Sequence, residues 1–363
     1  MSATHGLWPI VARHIIEGDV FDASSLSKRS IGAIISRAEE PSEGKLTAFK
    51  VAAGIQILIV ILLMLAFSYT TERVFPTLAA VESGTPESYT ELSDNVLDEE
   101  AGNPKILSDE EPSQPARPVT SGLISTYRLL LSIGGKKSLF RGFGCFVVYA
   151  LIGIPLELLL RLIPFMPKIA SSIIASLLLM QLNTVWTHAI ISKPSAKPFW
   201  RRLPPLRLVF RATALPTLIF GVAAGVSGMI NEIFAESIFS DVTGAAGPHP
   251  ATDNILSFSL LLIAQLLLTF LVIIPADAVL VRVQTSLLTA EDRPIVSLDP
   301  VFALRKFEGR EYVSALEAFK SMTRASWGRL YMLHVKVFLL CILVTNVVCF
   351  IGFMEVVIAR QFL

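Results

Sequence analysis

Six stretches of this chain are continuously apolar over about the 20 residues a helix needs to cross a hydrocarbon layer about 30 Å thick. They lie at 51–69, 143–163, 169–191, 209–234, 256–281 and 335–358. A backbone in lipid must satisfy its own hydrogen bonds, so these runs are helices. They lack the dyad alternation of a membrane β-barrel. With 53% hydrophobic and 17% charged residues and a mean hydropathy of +0.61, the 363-residue chain is too apolar for an ordinary soluble domain. The expected fold class is an all-α membrane protein with about six transmembrane helices, in contact with a lipid bilayer.

Charge is segregated along the chain, so the formal net charge of +1 carries no argument for a nucleic-acid partner. From Ala212 to Val281, across two spans and the loop between them, there is no Lys or Arg. The loop before this stretch holds Lys193, Lys197, Arg201, Arg202, Arg207 and Arg211, and the one after it runs from Arg282 to Arg329 with eight bases. Basic residues are retained on one side during insertion, which makes the odd-numbered loops the positive side. Residues 49–363 form the membrane domain, and 1–48 form an N-terminal extension. Within that extension, 26–38 sets Ile31, Ile34 and Ile35 against Lys28, Arg29 and Arg37, which fits an interfacial helix or a solvated amphipathic one. The segment 81–118 holds two acidic clusters, Asp98–Glu100 and Asp109–Glu111, among Ser, Pro and Gly. It cannot bury enough apolar surface to fold alone and is expected to be a disordered loop, either a solubilising spacer or a docking site for a basic protein partner.

No chemistry-bearing constellation appears. Cys145, Cys341 and Cys349 lie in apolar runs without metal-ligand spacing, and no nucleophile–base pair, HExxH, phosphate-binding loop or dinucleotide fingerprint is present. No catalytic residue, metal or cofactor is expected.

Two segments share a layout. Residues 121–143 and 311–332 each read as a short amphipathic helix, a Gly-containing turn and an aromatic, leading into an even-numbered span on the basic side. The fifth span ends in Pro275-Ala276-Asp277, followed by Arg282 and Gln284. The first of the two layouts holds Gly135, Leu139, Phe140, Arg141 and Gly142, and Leu330 with Tyr331 repeats part of it. On these residues the chain resembles the mitochondrial carrier family. Its odd helices end in Pro-x-Asp/Glu-x-x-Lys/Arg-x-Arg/Lys-x-Gln, and its even helices open with Gly-x-x-x-Leu-Tyr-Arg-Gly. The resemblance implies three repeated helix pairs, a mitochondrial membrane, a small solute as cargo, and an ion-pair gate at the ends of the odd helices. The pattern is incomplete. Leu280 stands where the family places a base, the first span shows no such signature, and the loop after the third is too short for a surface helix.

Polar residues inside spans are functional by default. Gln181 and Asn183 on the third span, Gln265 on the fifth and Asn346 on the sixth are the intramembrane polar contacts. Gln265 and Asn346 are best read as interhelical hydrogen-bonding residues. His188, Arg211, Glu232 and Lys336 lie near span ends, where snorkelling accounts for them. Glu157 and Arg161 are spaced i, i+4 as a local pair. Asp277 and Arg282 read either as a gate remnant or as hydrated residues beyond a kink at Pro275. Two functions follow: a carrier-like transporter of a small solute, or a carrier-fold protein that no longer transports and serves as a membrane adaptor.

Overall fold

The computed structural model describes residues 43–83, 118–194, 199–243, 251–289, 292–302 and 309–362. The expected interfacial helix at 26–38 and residues 84–117 of the acidic segment lie outside them. Both ends of that segment are ordered: Val81 closes a helix, and Pro118 precedes a 3-10 turn at Val119–Ser121.

Every regular element among the described residues is a helix. In chain order they are α1 (Glu43–Ser68), α2 (Phe75–Val81), α3 (Leu123–Gly134), α4 (Phe143–Arg161), α5 (Lys168–Leu178), α6 (Met180–Ile191), α7 (Leu206–Thr243), α8 (Ala251–Leu268), α9 (Ile274–Ser286), α10 (Ala315–Lys320) and α11 (Arg324–Phe362). Five helical stretches are long and apolar enough to cross a membrane, and α5 with α6 makes a sixth if the bent pair is one span. The chain is a multi-pass integral membrane protein.

Two of the spans share an unusual join. Between α1 and α2 lies a π-helical turn, Tyr69–Val74, and between α8 and α9 another, Thr269–Ile273. Each is followed, one residue on, by a proline in the second position of the next helix, Pro76 and Pro275. A proline ring clashes with the carbonyl four residues back, here those of Glu72 and Leu271, and both carbonyls fall inside the π turns. The wider turn makes room for the ring, and the helix continues where the sequence alone predicts a kink.

The third span departs further from expectation. Instead of one helix over 169–191, the chain bends by 63° between α5 and α6 at Leu179. Neither Pro nor Gly marks the site. The stretch before the sixth span also differs. Ser314 caps α10, accepting from the Glu317 N–H while the Glu317 carboxylate accepts from the Ser314 N–H. The break then falls at 321–323, and Gly328, expected in the turn, is already inside α11.

Packing divides the chain into two units. Residues 63–343 hold the core. It gathers Val74–Val81, Val185–Ile191 and Ile274–Leu287, the basic-side ends of the first, third and fifth spans, with Cys145, Leu330 and Leu333 from the even ones. Elsewhere the spans present exposed Leu, Ile, Val and Phe, as a lipid-facing surface requires. Of the described residues, 43–62 and 344–362 belong to the other unit, in which Gln56 donates to the Glu355 carboxylate.

Candidate functional site

The centre of the candidate site is Arg73, which the π turn Tyr69–Val74 places inside the first span. Its Nη1 pairs with Asp277 Oδ1 at 3.1 Å, its Nη2 donates to Asn183 Oδ1 at 3.2 Å, and its guanidinium lies 4.6 Å from the centre of the Trp186 ring. Asp277 stands two residues after Pro275 at the start of α9, and Asn183 and Trp186 lie one turn apart on α6. Three odd-numbered spans therefore converge on one cation. A charge at membrane depth is costly unless paired, and this one is neutralised by a carboxylate, an amide and an aromatic face together. Asp277 has a basic partner after all. It comes from the first span, not from position 280, where Leu280 is buried.

Trp186 is held in turn. Its Nε1 donates to the Tyr69 hydroxyl at 3.0 Å, and Tyr69 stacks on it at 6.1 Å while meeting Phe143 edge-on. The Tyr69 hydroxyl donates to the Arg141 carbonyl. Gly142 makes this approach possible. It is left-handed, with φ +72°, and a Cβ there would stand 2.9 Å from Trp186 Cδ1. Gly135, at φ +63°, plays a simpler part, ending α3.

On the basic side of this cluster, the ends of the same three spans are each capped by a side chain from another element. Arg329 of α11 donates to the carbonyl of Glu82 at 2.8 Å and to that of Ser83 at 3.3 Å, closing α2. Arg141 donates to the carbonyls of Ile190 and Ser192 at the end of α6. His188 Nε2 lies 2.8 Å from the Gln284 carbonyl near the end of α9, and Thr187 donates to the Gln284 side chain at 2.6 Å. Helix C-termini leave carbonyls unpaired and carry partial negative charge, so Arg329 and Arg141 satisfy both needs.

Arg282 is neither hydrated nor snorkelling, as the sequence suggested, nor does it join the ion pair at Asp277. It is 1% exposed and binds the Ala80 carbonyl at 3.0 Å, Asp299 at 2.8 Å and Ser321 at 2.7 Å, tying the first span, the loop after α9 and the break after α10 together. His188 is likewise buried and does not snorkel. Arg202 links Ser192 to Asp292.

The remaining sequence-selected residues fall into place separately. Gln265 donates to Ser227 Oγ at 2.7 Å, an interhelical bond between α8 and α7. Gln181 reaches the Pro204 carbonyl and anchors the loop before α7. Asn346 lies on α11 in the other unit. Lys336 donates to the Ser121 carbonyl at 3.3 Å. Glu157 and Arg161 pair locally at 2.6 Å, and Glu232 pairs with Lys168 of α5 at 2.8 Å. Sequence reasoning missed Arg73, Trp186 and Arg329. A signal for Arg73 was present: a base just beyond the first apolar run, three residues before Pro76.

No protein-family model, curated protein or solved structure matches the chain.

Proposed function

We propose that this chain is a mitochondrial-carrier-like membrane protein in which the carrier gate has become a permanent clasp. It then works as a membrane scaffold, with the acidic segment 81–118 docking a basic partner protein. Its placement in a mitochondrial membrane follows from the motif resemblance. One observation carries the reading: the basic-side ends of the first, third and fifth spans are each fixed by a side chain from another element hydrogen-bonded to terminal carbonyls. A hydrogen bond to a charged group contributes about 1.5–3 kcal/mol, and leaving it buried and unmade costs as much again. Opening that end breaks the contacts of Arg329, Arg141 and Arg282 together. A working two-state gate spans only a few kcal/mol between its states.

A second reading, solute transport, is favoured by the side-chain exposures of Arg73 and Asp277, 18% and 21%, which leave their ion pair within reach of water. Cysteine accessibility separates the two without knowledge of any solute. Thr187 lies one turn beyond Asn183 toward the basic side and is fully buried. With Cys145, Cys341 and Cys349 replaced by Ala, Thr187→Cys in proteoliposomes is expected to resist a membrane-impermeant maleimide applied from the basic-loop side. Modification as fast as at a surface control, Lys136→Cys, means that this end opens, and the clasp reading fails.

A further inference from the structure

After α9 the chain does not leave the basic-side end of the bundle. Residues 292–299 run across the ends of α6 and α2 and are bridged to both in antiparallel fashion, Pro294 to Ser192 and Leu298 to Glu82. At the α6 end, the Ile295 N–H donates to the Ile191 carbonyl at 2.9 Å and the Lys193 N–H to the Arg293 carbonyl at 2.8 Å. At the α2 end, the Ser83 N–H donates to the Ser297 carbonyl at 2.9 Å and the Asp299 N–H to the Val81 carbonyl at 3.3 Å. Between the two bridges Val296 is buried in the core that also holds Val81 and Ile191.

Charge fastens the same two ends. Asp292 pairs with Arg202 Nη2 at 2.5 Å, and that nitrogen also donates to Ser192 Oγ at 2.7 Å, just past α6. Asp299 pairs with Arg282 Nη2 at 2.8 Å, and Arg282 Nη1 donates to the Ala80 carbonyl of α2 at 3.0 Å. Each arginine thus grips one span end and one end of 292–299 at once. Arg202 comes from the turn before α7 and Arg282 from α9, so neither belongs to the segment it fastens. The backbone bonds at each bridge contribute little net, because each replaces a bond to water. Pairs of ionised groups are roughly twice as strong, and all four of these side chains are largely shielded from solvent.

We propose that residues 292–299 are a strap that locks the basic-side ends of the first and third spans to each other, with Arg202–Asp292 and Arg282–Asp299 as its two buckles. This rests on the clasp reading and identifies the lock of that clasp. Arg329 and Arg141 tie the ends of α2 and α6 to elements of the even spans. The strap ties those two ends together, so they part only after it has come off one of them. The fifth span carries it, which keeps a released strap beside its seat.

The test uses the full chain in proteoliposomes, with Cys145, Cys341 and Cys349 replaced by Ala, Thr187→Cys as reporter, and impermeant maleimide applied from the basic-loop side. Modification is read by mass spectrometry on the peptide that holds position 187. Asp292→Asn combined with Asp299→Asn is expected to raise the rate of modification by roughly 100-fold, since each neutralised carboxylate loses a charge-assisted bond. Ser83 and Ser297 face each other across the α2 bridge. Adding Ser83→Cys with Ser297→Cys fastens the unbuckled strap again when oxidised, so the reporter returns to its protected rate and is released by reduction. Ile295→Pro removes only the N–H given to Ile191 and is expected to give a smaller rise, should the unbuckled variant fail to fold. A reporter that stays protected in whichever variant folds overturns the strap and leaves the clasp standing, as does a rise that oxidation fails to reverse. A reporter already modified with both buckles intact overturns the two together.

Discussion

A guanidinium inside a membrane span survives only with partners, and Arg73 has three, from two other spans. Asp277→Ala removes the one that carries charge. Truncating one member of a fully buried pair costs about 3–5 kcal/mol; at roughly one-fifth exposure the expected loss is about 1–3 kcal/mol. It is read as a lower thermal midpoint in nanodiscs. The exchange Arg73→Asp with Asp277→Arg restores only part of the loss, because an aspartate at 73 recovers the ion pair but not the Trp186 stack. Full recovery would show that the Trp186 stack contributes nothing, and no recovery would show that the ion pair is not the dominant contact. This pair was only half legible in sequence. Asp277 stood out through Pro275, but its partner is 204 residues away, and nothing local says which of the bases will fold against it. His188 and Arg282 misled for the same reason: a polar residue near a span end snorkels by default, and only tertiary packing turns it inward.

At the scale of elements, the apolar runs were legible because bilayer thickness fixes their length, whereas the 63° bend at Leu179 was not, since neither proline nor glycine marks it. The acidic segment shows what the fold adds. Glu82, 1% exposed, accepts the Val119 N–H at 2.8 Å and the Thr120 N–H at 3.0 Å, so the residues that flank 84–117 on either side are held together. Replacing 84–117 with a short Gly-Ser bridge is therefore expected to leave the thermal midpoint unchanged while abolishing co-purification of basic partners. A cut that takes Glu82 as well destabilises the protein and confounds that comparison. Unchanged partners would count against the docking role. In α10, hydrogen bonds from the Ser314 N–H and hydroxyl, with help from Arg310, hold the Glu317 carboxyl below the ordinary carboxylate range. A depressed folded-state value stabilises the helix above the unfolded value and ceases to do so as pH falls through the folded one. Amide exchange across Ala315–Lys320, corrected for its intrinsic pH dependence, is thus expected to lose protection on acidification; Glu317→Gln should show less protection at neutral pH and little further change.

At the scale of the whole molecule, the loops rich in Lys and Arg all adjoin the capped ends of the odd spans. Single cysteines at Lys136 and Thr289 are expected to react with impermeant reagent from one side of the membrane and a cysteine at Ala246 from the other; labelling of all three from one side would refute the six-span arrangement. Within 63–343, deep burial collects at one end of the spans. Mechanically, that unit is stiff toward one leaflet and compliant toward the other. When the surrounding bilayer thins or thickens, the helices are free to tilt from the compliant end while the capped ends keep their spacing, so the capped ends act as the fulcrum.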